Sequence, residues 1–150
     1  RKGYLVIAGA RSFKPYEGPC ADGSHLIPLD VRNPESICAF KRQALKISPR
    51  VDALSNCAGI LVLGPCEETG RDEYRGVMET NFHGMTGMVR AALPLMRAQG
   101  AGRIVNFSSI NGLLGIPFQS AYTASKHAIE GYSECLAMET APFGIQVCVL

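Results

Sequence analysis

The sequence predicts an α/β fold, a doubly wound parallel sheet with helices on both faces. Short apolar runs, partly β-branched and typical of strands buried on both faces, alternate with longer stretches of helical periodicity. Such alternation implies right-handed crossovers between parallel strands. With 150 residues, of which 47% are apolar, the chain has the size and the core material of one domain.

The first elements are two strands and a helix. Strands are predicted at residues 4–8 and 25–31, separated by an irregular connection rich in proline and glycine. A helix begins after the second strand, because Asn33 suits an N-cap and Pro34 suits the first helical position. This helix is expected to end at about Ile47.

The remaining elements alternate in the same way. They are a strand at residues 51–54, a long helix at about 69–98 with a disturbance near Pro94, a strand at 102–109, a helix carrying Tyr122 that ends near 142–144, and a strand at 145–150.

Charge and cysteine content exclude several classes of protein. The chain has 15 basic and 13 acidic side chains and no basic run, so it lacks the footprint of a nucleic-acid-binding protein. Its six cysteines show neither a CxxC motif nor zinc-ligand spacing, and no metal site is predicted. Most lie in apolar patterns, so we expect buried thiols and a cytoplasmic location. The apolar run at residues 4–10 is too short to span a membrane.

Tyr122 and Lys126 lie four residues apart and therefore share one helix face. A phenol has a pKa near ~10, which makes it a poor acid or base at neutral pH. An adjacent ammonium favours the phenolate and lowers this pKa, and a shift of two or three units needs about 3–4 kcal/mol. The pair predicts a proton-transfer site, although the same spacing also occurs on ordinary surface helices.

Other polar residues follow the predicted strands at their carboxyl ends, where parallel sheets bind ligands. They are Arg11, Asp30, residues 56–59 and Ser109. Structural residues have no reason to collect at one edge of a sheet, so this placement predicts a binding site.

Together these residues resemble the short-chain dehydrogenase/reductase family across essentially the whole chain. The matching motifs are Leu29-Asp30-Val31, Asn56-Cys57-Ala58-Gly59, Asn81 in Thr80-Asn81-Phe82-His83-Gly84, Ser108-Ser109, and Tyr122-x-x-x-Lys126. Ser109 precedes Tyr122 by 13 residues and Asn81 precedes Ser109 by 28. The resemblance implies a Rossmann-like, NAD(P)-binding domain over residues 1–150.

The resemblance also implies an oxidoreductase that transfers a hydride between NADP(H) and an alcohol or ketone. Tyr122 would be the general acid or base. Lys126 would lower the pKa of Tyr122 and hydrogen-bond the nicotinamide ribose, so that both residues face the cofactor. Ser109 would donate to the substrate oxygen. Asn81 would lie at a local break in its helix and hold a water that relays protons to Lys126.

On the adenosine side, the resemblance implies that Asp30, next to Val31, accepts from the adenine amino group. Asn56, Ala58 and Gly59 would bring backbone close to the adenosine, and Gly59 allows this because it has no Cβ. Cys57 replaces the second Asn that is usual in this motif, and we interpret it as a buried substitution.

Two features indicate the ligands. The first strand is followed by Arg11 and lacks the acid that would bind a ribose 2′-hydroxyl. Since Arg pairs well with a 2′-phosphate, NADP(H) is favoured over NAD(H). The apolar loops at residues 60–65 and 112–118 predict an apolar substrate such as a steroid or retinoid. The alternatives are a 3-oxoacyl thioester reductase and a non-catalytic member that binds nucleotide or a partner protein.

The family's glycine-rich pyrophosphate loop is absent, and Arg1-Lys2-Gly3 resembles the stretch just after the helix that follows that loop. We therefore expect an internal fragment that lacks the first strand, the first helix and the C-terminal part, and that is unstable and inactive as a free polypeptide. Family members often dimerise through the helices of Asn81 and Tyr122, so a homo-oligomer is expected by analogy. Membrane contact stays open.

Overall fold

The computed structural model describes residues 3–150, so the interpretation of Arg1 and Lys2 lies outside the described residues. The chain forms two units, the first ending at Pro49 and the second beginning at Arg50.

The first unit contains two parallel strands and one helix. These are β1 (Ile7–Ala10), β2 (His25–Pro28) and α1 (Pro34–Ile47). The first strand begins three residues later than predicted, because the parallel register with β2 starts where Ile7 faces His25. The side chains of residues 4–6 are exposed.

Helix α1 has the predicted boundaries. The side chain of Asn33 accepts hydrogen bonds from the backbone N–H groups of Glu35 and Ser36, at 2.8 and 3.3 Å. Pro34 occupies the first turn, where no intrahelical N–H bond is needed. The N-cap interpretation is confirmed.

The second unit contains a three-stranded sheet, three α-helices and a π-helical turn. They are β3 (Ala53–Asn56), α2 (Arg71–Met78), a π-helical turn (Glu79–His83), α3 (Gly84–Gln99), β4 (Gly102–Asn106), α4 (Ser120–Thr140) and β5 (Ile145–Val149). The strand order is β3-β4-β5 with both pairs parallel. Within this unit helices connect the parallel strands, and the structure confirms the predicted α/β class.

The core of the second unit lies between α3, α4 and the sheet. Its buried side chains include Met85, Val89, Met96, Ile104, Ile129, Leu136 and Ile145. Each buried apolar side chain of this size stabilises the fold by roughly 1.5–3 kcal/mol. This packing fixes where β4 ends against the first turns of α4.

The disturbance predicted near Pro94 is found elsewhere. Helix α3 continues through Pro94, and both Pro94 and Arg90 are exposed. Water can therefore satisfy the Arg90 carbonyl that proline leaves without a donor. The irregular turn is instead Glu79–His83, which contains Asn81 and agrees with the expected break at that residue.

The expectation of buried thiols is wrong, because all six cysteines are free and exposed. Cys38 and Cys135 lie on outward positions of α1 and α4, and Cys148 alternates along β5 with less exposed neighbours. An apolar neighbourhood in sequence therefore did not specify which face the thiol occupies. Among residues 3–150, no group of His, Cys, Asp and Glu could hold a metal ion. No helix in the same range combines the length and the apolar content needed to cross a bilayer.

Candidate active site

Tyr122 and Lys126 lie on successive turns of α4, as their spacing predicts. The Lys126 Nζ lies 5.3 Å from the centroid of the Tyr122 ring. It also donates a hydrogen bond of 2.7 Å to the Phe107 carbonyl, just beyond the end of β4. Lys126 is only 5% exposed, and this burial lowers its pKa. A cation is thus held beside the half-buried ring of Tyr122.

Ser109 begins the short 3-10 turn Ile110–Gly112 after β4. Its hydroxyl donates to Asn111 Oδ1 at 3.2 Å and accepts from the Asn111 backbone N–H at 3.3 Å. Ser109 is half-buried. A hydroxyl on a capped turn at a strand end can donate to a ligand oxygen if it turns away from Asn111.

Asn81 is buried in the π-helical turn and links two segments. Its Oδ1 accepts from the Ile60 N–H at 2.7 Å, and its Nδ2 donates to the Ile60 carbonyl at 2.9 Å and to Ser125 Oγ at 3.0 Å. Ser125 Oγ in turn donates to the Tyr122 carbonyl at 2.7 Å. Asn81 therefore holds the loop after β3 against the helix of Tyr122. π-Helical turns often occur at such functional positions.

Asn56 is brought to the site edge by a polar ladder across the sheet. Its Nδ2 donates to Asn106 Oδ1 at 2.9 Å, and Asn106 Nδ2 donates to Ser133 Oγ at 2.9 Å. Asn106 is completely buried, and a buried amide needs such partners. The carboxyl ends of β3 and β4 are thus tied to α4. The sequence predicted a site at Asn56 but not this side-chain role.

The loop after β3 exposes Ala58 and Gly59, whose backbone is free to approach a ligand. A Cβ on Gly59 would lie 3.4 Å from Asn81 Oδ1, an ordinary van der Waals contact, so the approach of this loop to Asn81 does not itself require glycine. The interpretation of Cys57 as buried is wrong. Its thiol is exposed and lies 3.3 Å from Ser55 Oγ, because the chain leaves the sheet at Asn56.

The first unit carries Arg11, Asp30 and Val31 at its strand ends. The Asp30 carboxylate accepts two hydrogen bonds from the Arg32 guanidinium, at 3.0 and 2.6 Å. This pairing lowers the pKa of Asp30 to about 2, and the charge of Arg11 adds to the lowering. Arg11 is exposed and Val31 is half-buried. Arg32 was not predicted, although an Arg two residues after an Asp is a readable signal for such a pair.

The two apolar loops of the second unit lie against each other, because the Gly64 N–H donates to the Phe118 carbonyl at 2.9 Å. Leu63, Leu113 and Phe118 are more than half exposed, at 66%, 76% and 61%. A shallow, open depression lies between residues 115–117 and the first turns of α4. The loops thus form an open apolar surface beside the turn that precedes Tyr122.

Within the second unit the structure therefore places Asn81, Tyr122 and Lys126 in one connected group and joins Ser109 to it through Asn111. Sequence reasoning missed Asn106, Asn111 and Ser125. Asn106 directly follows the apolar residues Ile104 and Val105 at the carboxyl end of a strand, which was a signal for the first of these; nothing local distinguished the other two.

The comparisons with known proteins address the whole chain. The family model described as short chain dehydrogenase matches residues 2–150. The chain belongs to the short-chain dehydrogenase family. This confirms the resemblance read from the motifs.

Two curated relatives illustrate the family. The 3-ketodihydrosphingosine reductase of Bacteroides thetaiotaomicron is 40% identical over 149 residues, which cover 99% of this chain and 54% of the relative. The 17-beta-hydroxysteroid dehydrogenase type 1 of Homo sapiens is 39% identical over 132 residues, covering 87% of this chain and 40% of the relative. The chain thus spans about half, or less, of the curated relatives it matches.

Solved structures agree in fold. A short-chain dehydrogenase from Streptomyces avermitilis has a TM-score of 0.87 at 37% identity, covering 99% of this chain and 56% of that one. ElxO with NADP bound has a TM-score of 0.90 at 30% identity, covering 99% and 62%.

Proposed function

We propose that the protein transfers a hydride between NADP(H) and an apolar alcohol or ketone, such as a steroid or retinoid, with Tyr122 as the proton donor or acceptor. The observation that carries the proposal is the buried Lys126 ammonium, held beside the Tyr122 ring by the Phe107 carbonyl. A bound nicotinamide dinucleotide supplies or accepts the hydride. The residues of this chain transfer the proton and stabilise the charge that develops on the substrate oxygen.

In the reducing direction, the Tyr122 O–H bond breaks as its proton passes to the substrate oxygen, and a phenolate is left. The Lys126 ammonium stabilises that phenolate by Coulomb attraction, which is stronger at a buried site than in water. The Phe107 carbonyl keeps the ammonium in place while the charge on the ring changes. In the oxidising direction the phenolate accepts the proton of the alcohol.

Ser109 would donate its hydroxyl proton in a hydrogen bond to the substrate oxygen. Such a donor stabilises the negative charge that develops on the oxygen during hydride transfer. The half-buried hydroxyl of Ser109 stands on a turn and has only Asn111 as hydrogen-bond partner among the contacts described.

The residues present fit an adenine dinucleotide. Asp30 has a pKa of about 2 and is therefore an ionised acceptor at neutral pH, suited to an adenine amino group. Ala58 and Gly59 leave backbone exposed for the adenosine. The exposed Arg11 after β1 suits a 2′-phosphate. Preference for NADP(H) is further supported by ElxO, which has NADP bound.

The substrate class is supported by the exposed apolar loops around Leu63, Leu113 and Phe118. Loops normally present polar side chains, and a contiguous apolar surface indicates a partner or ligand of the same character. Two relatives are named for a ketodihydrosphingosine and a hydroxysteroid, both of which are largely apolar molecules.

The test is the full-length protein with Tyr122→Phe and, as a matched control on the same helix, Tyr132→Phe. Turnover of NADPH is measured with a panel of steroid ketones, retinal and a 3-oxoacyl thioester. Tyr122→Phe is expected to lower kcat by about 100-fold or more, since it removes the proton donor, while NADPH still binds. Tyr132→Phe keeps its turnover because Tyr132 packs edge-on against Phe82, within the core.

Retained turnover in Tyr122→Phe would contradict the assigned role. Turnover with the thioester alone would move the substrate to the 3-oxoacyl class. Nucleotide binding without turnover of any compound would favour the non-catalytic alternative.

A further inference from the structure

Asn111 is a buried polar residue to which the proposed reaction gives no role. It lies two residues after Ser109 and is 3% exposed. Its Nδ2 donates to Gln119 Oε1 at 3.1 Å and to Thr123 Oγ1 at 3.0 Å, and its Oδ1 accepts from Ser109 Oγ at 3.2 Å. One side chain thus joins the Ser109 turn to the beginning of α4.

The orientation of the Asn111 amide follows from these partners. Two neighbours accept from its Nδ2, so its Oδ1 must face Ser109. The Ser109 hydroxyl is therefore held by an acceptor on one side and by the Asn111 backbone N–H on the other. Thr123, the second anchor, is the residue directly after Tyr122.

We infer that Asn111 is a positioning residue that holds the Ser109 turn in register with Tyr122. The Ser109 hydroxyl then reaches the substrate oxygen by rotating its proton away from Asn111 Oδ1, while its Oγ still accepts from the Asn111 backbone N–H. This inference rests on the proposed function, in which both hydroxyls act on one substrate oxygen. The Ser109 turn is followed by exposed side chains, Ile110 at 63% and Leu113 at 76%, so apolar packing does little to hold it. The buried amide supplies the link that packing does not.

The consequence is a specific kinetic signature. Two groups that must meet one oxygen lose efficiency when their relative position varies, and a displacement of about 1 Å can lower the rate by about 100-fold. Loss of Asn111 should therefore lower kcat through Ser109. The nucleotide affinity should not change, because Asn111 contacts only Ser109, Gln119 and Thr123 in the contacts described.

The experiment is a double-mutant cycle in the full-length protein with Ser109→Ala, Asn111→Ala and the double variant. Each single substitution is expected to lower kcat by about 10- to 100-fold. In the Ser109→Ala background, Asn111→Ala is expected to add less than about threefold, since the group it positions is already gone. A merely structural role would give the same additional loss in both backgrounds.

Two valine substitutions on α4 provide the matched pair. Thr123→Val keeps the size of the side chain but removes the hydroxyl that accepts from Asn111 Nδ2. It should lower kcat by a smaller factor than Asn111→Ala, and it should have no further effect on kcat in the Ser109→Ala background. Thr140→Val removes a buried hydroxyl that donates to the Leu136 carbonyl at the other end of α4. It should lower stability but leave kcat unchanged.

The outcomes separate the two proposals. If Ser109→Ala lowers kcat and Asn111→Ala adds its full effect to it, the positioning role is overturned while the proposed function stands. If Ser109→Ala leaves kcat unchanged, the role of Ser109 fails and the positioning role fails with it. Should Asn111→Ala prevent folding, the Thr123→Val cycle decides the same question.

Discussion

Asp30 in the first unit and Lys126 in the second are both charged, but different forces set their pKa values. Asp30 pairs with Arg32 at 2.6 Å, in a pair whose side chains are 30% and 44% exposed, and the pairing lowers its pKa to about 2. Lys126 is buried, and loss of hydration lowers its pKa. Its described partner is a neutral carbonyl.

The charges of Asp30 and Lys126 should therefore respond to different changes. An exposed ion pair is weak and screened by salt, whereas a buried ammonium depends on packing and on one fixed dipole. We expect Asp30 to be sensitive to pH and ionic strength. Lys126 should be sensitive only to substitutions that alter the core around it.

The largest expected effect is that of Lys126→Met in the full-length protein. Methionine matches the length of the buried side chain but cannot stabilise a phenolate, so kcat should fall by about 100-fold or more. Steady-state turnover at low and high salt measures it, and the salt concentration should leave the wild-type kcat unchanged. Lys46→Met, at the exposed end of α1, is the control. A Lys126→Met variant with nearly normal kcat would contradict the proposed role of the buried ammonium.

The next effect is on stability and concerns the hydrogen bonds that join Asn56, Asn106 and Ser133. Asn106→Leu leaves Asn56 Nδ2 and Ser133 Oγ without their shared partner, and should lower the free energy of unfolding by about 1–3 kcal/mol. Urea unfolding measures the change. Arg103→Leu on the same strand removes an exposed contact to Gln146 and should change stability far less. Equal losses in the two variants would show that the ladder adds nothing beyond strand packing.

A smaller effect is expected for nucleotide affinity. Asp30→Asn keeps the shape but removes the ionised acceptor, so the Kd for NADPH should rise by roughly three- to tenfold, the range of one hydrogen bond. Calorimetric titration of the full-length protein measures it. Asp52→Asn is the control, because Asp52 also pairs with an Arg two residues away. An unchanged Kd in Asp30→Asn would remove Asp30 from the binding residues.

The smallest effect is the pH dependence of stability. Because the folded-state pKa of Asp30 is lowered to about 2, its contribution is fully present above its ordinary pKa of about 3.9 and is lost as pH falls from there toward about 2. The difference in unfolding free energy between wild type and Asp30→Asn should shrink over this range. High salt should reduce the difference at every pH. A difference that grows on acidification would reverse the assigned cause.

Many features of the fold and of the candidate site could be predicted from local sequence signals. The start of α1 followed from Asn33 and Pro34, and the shared face of Tyr122 and Lys126 followed from helical spacing. The π-helical turn at Asn81 was expected only through the family resemblance, and the disturbance read from Pro94 was wrong. A proline breaks a helix when water cannot satisfy the carbonyl that it leaves without a donor. Whether that carbonyl is exposed to water depends on the tertiary structure.

The sequence by itself determined the α/β class, the family and the shared helix face of Tyr122 and Lys126, because each depends on local patterning and spacing. Only the tertiary structure decided that Lys126 is buried on the Phe107 carbonyl, that Asn81 holds Ile60, and that Asn111 joins Ser109 to α4. These contacts join different elements of the second unit. They exist because the core between α3, α4 and the sheet sets where each strand end meets the helix, and no local pattern encodes that distance.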